Sequence, residues 1–164
     1  MPSRRKFIKS ATLATAGVAV AGSWSASAKS YSRIMGSNRK INLACIGIGN
    51  RGGEILNEFN KTGLANIVAL CDIDMGAPHT QKNMETFSSA KRFQDFREML
   101  DKAGNEIEAV SVGVPDFSHF PITMMAIGMG KHVYVEKPMA RTFLEVELMT
   151  AAAKKHSRVV TQMG

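Results

Sequence analysis

From Ile41 onward, short uninterrupted apolar runs alternate with longer stretches in which apolar residues recur every three or four positions. The short runs predict strands over Ile41–Gly47, Asn66–Asp72, Arg92–Phe93, Ala109–Val114, His132–Glu136 and Arg158–Gln162. The longer stretches predict helices over Arg51–Thr62, Ala77–Phe87, Phe96–Ala103, Ser118–Gly128 and Phe143–Lys155. Asp95-x-x-Glu98 and Thr142-x-x-Glu145 both fit capping boxes, Pro121 suits a first turn, and Gly128 and Gly130 suit a helix end. Strands that are apolar throughout, rather than at alternate positions, belong to a sheet covered on both faces. Successive strand–helix units with right-handed crossovers then give an α/β fold, a doubly wound parallel sheet.

Charge divides the 164-residue chain unevenly. The net charge is +7, yet Arg4, Arg5, Lys6, Lys9, Lys29, Arg33, Arg39 and Lys40 meet no acid before Ile41, and the remainder is close to balanced. The basic excess therefore belongs to the N-terminal segment, and nucleic-acid binding loses its main support. Residues 1–28 read as a twin-arginine export signal: Arg4-Arg5, a mild Ala-rich run from Ala11 to Gly22, then Ala26-Ser27-Ala28 as a cleavage site. Residues 29–40 read as a polar linker, and 41–164 as the folded domain. The expected location is periplasmic or secreted, with the Tat machinery as a partner and no stable membrane anchor, the apolar run being short of the roughly 20 residues of a span. Cys45 and Cys71 lie in strand-like runs. Neighbouring strands could pair them, but they read first as small buried hydrophobes, and nothing around them has metal-ligand spacing.

Chemistry concentrates at strand ends. Gly47-Ile48-Gly49-Asn50-Arg51-Gly52 follows the first strand and opens a helix, the context in which G-x-G-x-x-G cradles a pyrophosphate on helix N-terminal amides. The second strand ends at Asp72, twenty residues beyond Gly52, where a carboxylate meets the adenosine ribose hydroxyls. Asp74 could share that role. Asp72 would repel a 2′-phosphate and so favours NAD over NADP, although Arg51 beside the loop could accommodate one. Without a ligand, the same residues would make a tight turn and a solvated acidic strand end. Pro115 and His119 follow the fourth strand and Glu136-Lys137-Pro138 closes the fifth, both at the carboxyl ends where doubly wound sheets bind ligands. Lys137 in a cleft could orient a sugar hydroxyl or carry a proton; otherwise it is a surface lysine in a turn.

These segments together, Leu43–Gly53, Ala69–Asp74, Val114–His119 and Lys131–Pro138, resemble the Gfo/Idh/MocA oxidoreductase superfamily, and the EKP tripeptide after His132-Val-Tyr-Val is the most specific element. The resemblance implies hydride transfer between a nicotinamide and a sugar or polyol carbon. It places Gly47, Gly49, Gly52 and Asp72 on the dinucleotide, Pro115 and His119 against it, and Lys137 near nicotinamide and substrate as the catalytic candidate. Val114 stands where many members have Thr. It further implies a C-terminal α/β substrate domain, absent from this sequence, through which full-length relatives form homo-oligomers. Two other readings follow: an NAD-dependent glycosidase that oxidises its sugar transiently, and a non-catalytic dinucleotide-binding fragment.

Overall fold

The computed structural model describes residues 39–164; the expected leader, 1–28, and the linker as far as residue 38 lie outside the described residues. The described chain runs β1 (Ile41–Ile46), α1 (Asn50–Lys61), β2 (Ala65–Cys71), α2 (Pro78–Thr86), β3 (Lys91–Phe93) and α3 (Phe96–Ala103). It continues through β4 (Ala109–Val112), a 3₁₀ turn (Asp116–Ser118), α4 (His119–Gly128), β5 (His132–Val135), α5 (Phe143–Lys155) and β6 (Thr161–Met163). The strands form a single parallel sheet in the order β3-β2-β1-β4-β5-β6. This is the doubly wound arrangement the apolar runs predict.

Alternate strand residues feed opposite faces of that sheet. Ala44, Ile46, Ala69 and Cys71 join one core cluster with Met99 and Leu100 of α3, Ile122 and Ala126 of α4, and Met149 of α5. Leu43, Cys45, Ile67 and Leu70 join the other, with Leu56 of α1 and, at its margin, Met84 of α2. Thus α1 and α2 cover one face, and α3, α4 and α5 cover the other. The chain changes face between β3 and β4, so a crevice opens between β1 and β4, the neighbours whose connections run in opposite directions. The β1–β2 register slips at Leu43/Ala44, which puts Val68 beside Ala69 on the same cluster.

Cys45 and Cys71 face opposite sides of the sheet, which excludes the pairing left open by the sequence; both are free thiols. Burial pushes each up to about 12, so neither is a thiolate at neutral pH.

Two local expectations need correction. The sixth strand begins at Thr161, not Arg158. The Val159 N–H donates to the His156 carbonyl in a turn, and the Val160 N–H donates to the His132 imidazole Nδ1 at 3.0 Å, so those amides are spent before the ladder begins. Asp95 does cap α3, accepting the Arg97 N–H at 2.8 Å, but no box closes, because Glu98 pairs instead with Lys102 one turn on. At α5 both halves of the box are present: the Glu145 N–H donates to Thr142 Oγ1, and the Thr142 N–H to Glu145 Oε2.

Candidate functional site: a glycine-built cleft

Three glycines meet where β1, α1 and β4 converge. Gly47 has φ +78°, a conformation that side chains rarely adopt, and a Cβ there would lie 2.7 Å from the Gly113 carbonyl. A Cβ on Gly52 would run into the Gly47 carbonyl oxygen, and one on Gly113 would sit 2.6 Å from Gly52 Cα. All the obstacles are backbone, so nothing can swing aside. This close contact lets α1 start directly at the sheet edge. Gly49 is the N-cap of α1; no side chain caps it, and no acid lies in the first turn. The first amides of α1 are therefore left to solvent or an anion, with the helix dipole favouring the anion.

The loop is held from two directions. Ile48 is fully buried, and its N–H donates to Asp72 Oδ2 at 2.9 Å. Its carbonyl accepts from Asn83 Nδ2 at 2.7 Å, and Asn57 Nδ2 donates to Asn83 Oδ1 at 3.1 Å and to the Gly53 carbonyl at 2.7 Å. Asp72 Oδ1 also accepts the Asp74 N–H at 3.1 Å. Each carboxylate oxygen keeps further acceptor capacity, so Asp72 can brace the loop and still meet ribose hydroxyls.

A cleft of about 680 Å³ lies over this loop. Gly47, Gly49, Asn50, Arg51, Asp72, Asp74 and Pro115 line it, along with His79, Ile73, Phe96, Arg97, Gly113 and Phe117. The other expected site residues are not in its wall. Ile48 contributes backbone, and Gly52 contributes close packing. His119, 1% exposed, spans two loops: its Nδ1 is 2.7 Å from the Pro138 carbonyl oxygen and its Nε2 2.8 Å from that of Val114. A neutral imidazole donates to one of these carbonyls at a time, and the ring fills the space between the loop after β4 and the loop after β5.

Glu136 is 4% exposed and forms a second tie. Its Oε1 accepts from Arg51 Nε at 2.8 Å and its Oε2 from the Lys137 N–H at 2.6 Å. Burial pushes this carboxyl up, but the bonds from Arg51 and the Lys137 amide outweigh it and hold the group below its ordinary value. Arg51 also pairs with Glu54 at 3.0 Å, so two of its five guanidinium donors are taken. The Lys137–Pro138 peptide is cis, and the Lys137 side chain is exposed and not part of the cleft lining.

Sequence reasoning missed Gly113, His79 and Asn83. Gly113 hides between two valines at a strand end. His79 and Asn83 lie four residues apart on α2, whose sequence, Pro-His-Thr-Gln-Lys-Asn-Met-Glu-Thr, reads as a solvated helix. The available signal was the surplus glycine: Gly49 and Gly53, also four apart, are the positions where a Cβ would meet His79 and Asn83.

The groups present fit a dinucleotide: uncapped helix amides behind a glycine-rich loop, and a carboxylate just past the end of β2. A family model described as "Oxidoreductase family, NAD-binding Rossmann fold" (GFO_IDH_MocA) matches residues 41–163. A glycosyl hydrolase family 109 protein of Shewanella amazonensis is 29% identical over 160 residues, covering 87% of this chain and 35% of that protein. An inositol 2-dehydrogenase of Salmonella typhimurium is 26% identical over 126 residues, covering 76% and 36%. A dehydrogenase structure from Chromobacterium violaceum superposes with a TM-score of 0.69 at 28% identity, covering 77% of this chain and 36% of the other. The chain thus spans about a third of the length of the relatives it matches.

Proposed function

The chain belongs to the Gfo/Idh/MocA oxidoreductase family with its NAD-binding Rossmann fold, and on that premise we propose that it supplies the NAD-binding half of an enzyme acting on a sugar or polyol. The observation that carries the reading is the Gly47–Gly52–Gly113 contact beneath the uncapped N-terminus of α1. Bound NAD would supply a hydride acceptor at its nicotinamide. The chain's own residues bind and orient it: the amides after Gly49 take the pyrophosphate, and Asp72 accepts from the adenosine ribose. Pro115 and Phe117 wall the cleft beyond them. Asp72 at the ribose position supports NAD over NADP, and two of the five guanidinium donors of Arg51 are already taken by Glu136 and Glu54. Lys137, set by the Glu136 tie, is assigned to orient a substrate hydroxyl or carry its proton.

The relative named for glycosyl hydrolase family 109 supports a second reading, in which the sugar is oxidised, its aglycone eliminated, and the product reduced again on the same NAD. The twin-arginine leader supports export of the folded protein. Replacing Arg4 and Arg5 by Lys in a reporter fused to residues 1–40 should abolish that export.

The experiment is to purify the chain, denature it, and identify released nucleotide by mass spectrometry, with titration of the refolded protein by NAD and NADP. NAD(H) released, or binding that prefers NAD, is the expected result. A folded chain that binds neither overturns the reading. In a longer protein carrying this segment, net consumption of added NAD marks the dehydrogenase, and aglycone release without it marks the glycosidase.

A further inference from the structure

The N-terminal turn of α2 leans on the mouth of the cleft. Asn83 fixes it there: 7% exposed, this side chain gives its amide to the Ile48 carbonyl and takes one from Asn57. His79, one turn earlier on the same face, lays its imidazole over Gly49, Cδ2 nearest to where a Cβ would stand and Nε2 next at 2.8 Å. Gly49 is the N-cap of α1, the residue beside which an anion would settle. His79 is exposed and lines the cleft.

We propose that His79 is a binding residue for the pyrophosphate of the dinucleotide, carried to the glycine loop by α2, and that its proton tunes cofactor affinity. The inference rests on the dinucleotide reading above. The charged residues that share a pocket lining with His79 are Asp72 and Asp74 from the turn after β2, Arg51, Glu54, Glu58 and Lys61 from α1, Lys82 from α2, and Asp95 and Arg97 at the start of α3. Arg51 is already held by two carboxylates. A phosphate oxygen favours the protonated form of an imidazole, which donates to it a charge-assisted hydrogen bond. Affinity therefore rises as pH falls. The middle glycine of the loop is required on this account because the imidazole fills the place a Cβ would take.

The test is calorimetric titration of the full chain with NAD, ADP-ribose and adenosine at pH 5.5, 6.5 and 8.0, for wild type, His79→Gln and His79→Lys. Wild type is expected to bind NAD and ADP-ribose about tenfold more tightly at pH 5.5 than at pH 8.0, the size of one charge-assisted hydrogen bond gained, with adenosine flat. His79→Gln is expected to bind weakly at every pH with no slope. His79→Lys is expected to bind tightly at every pH, which a merely structural histidine would not produce. The acids and Arg51 are common to all three proteins, so their titration cancels in the comparison. A His79→Gln protein with wild-type affinity and slope overturns the proposal alone, as does an equal slope for adenosine. A wild-type chain that binds no dinucleotide at any pH overturns this proposal and the dinucleotide reading together.

Discussion

The two sides of the cleft are built by opposite means. On the β1 side the site is made by leaving side chains out: Gly47, Gly52 and Gly113 touch through backbone, and the cradle exists because no Cβ intrudes. On the β5 side it is made by putting side chains in: Glu136 ties Arg51 to the Lys137 amide, and the His119 ring fills the space between the Val114 and Pro138 carbonyls. A site made by exclusion has one acceptable residue at each position. A site made by ties loses one hydrogen bond at a time. Substitutions on the first side should therefore act nearly all-or-none, and those on the second side by degrees.

The largest effect should come from Gly52→Ala. Its methyl would overlap the Gly47 carbonyl, which cannot rotate away, so the expected loss is about 3 kcal/mol, the upper end for a forced insertion. Urea unfolding would measure it, and NAD binding should vanish with it. A Gly52→Ala protein of wild-type stability would mean that the α1–β4 contact yields, and the contrast between the two sides would collapse.

Next comes Asn83→Ala, which leaves the Ile48 carbonyl buried without its donor and should cost about 2 kcal/mol. It sharpens the comparison because it breaks a tie on the exclusion side. The loop should stay formed but loosen, seen as faster amide exchange at Ile48 and Gly49.

Glu136→Gln is smaller, about 1 kcal/mol at neutral pH, since an amide donor replaces one acceptor oxygen in the tie. Its pH dependence has a definite sign. The folded-state carboxyl is held below its ordinary value of 4.5, so it stabilises the fold above about that pH, and the contribution is lost as pH falls through the lower folded value. Stability curves of wild type and variant should keep a constant gap above about pH 4.5 and converge as pH falls below it. A gap that does not close on acidification would show that the tie carries no weight.

The fold was legible because parallel strands covered on both faces are apolar runs bounded by helical stretches, and β1, β2, β4 and β5 all read that way. The glycine loop and Asp72 were legible because their spacing is a mechanical requirement of a phosphate on a helix terminus. What the sequence concealed depends on contacts made between distant elements. The late start of β6 follows from His132 accepting the Val160 N–H across 28 residues. The open box at α3 follows from Glu98 having a nearer partner in Lys102. Helix α2 looks polar and solvated, yet Thr80 and Asn83 are buried in it, because what they meet is backbone carbonyl rather than apolar side chain. His119 was expected against the cofactor, and the structure places its ring between two loops behind the cleft.

The smallest expected effect has the opposite sign and isolates what makes a glycine matter here. Gly128 ends α4, with no positive φ and no atom within 4 Å of where its Cβ would lie. Nothing in the folded state requires glycine at that position. Alanine there would restrict the unfolded chain and favour the helix, so Gly128→Ala should stabilise the protein by about 0.5 kcal/mol. Gly130, two residues on, also has open space around it but sits at φ +73°, and Gly130→Ala should destabilise by about 1 kcal/mol through backbone strain alone. Urea unfolding of the pair separates the two demands that coincide at Gly47: left-handed backbone, and exclusion of a side chain. If Gly128→Ala destabilised as much as Gly52→Ala, the loss at Gly52 could not be ascribed to the Gly47 carbonyl, and the β1 side of the cleft would be no more demanding than an ordinary helix end.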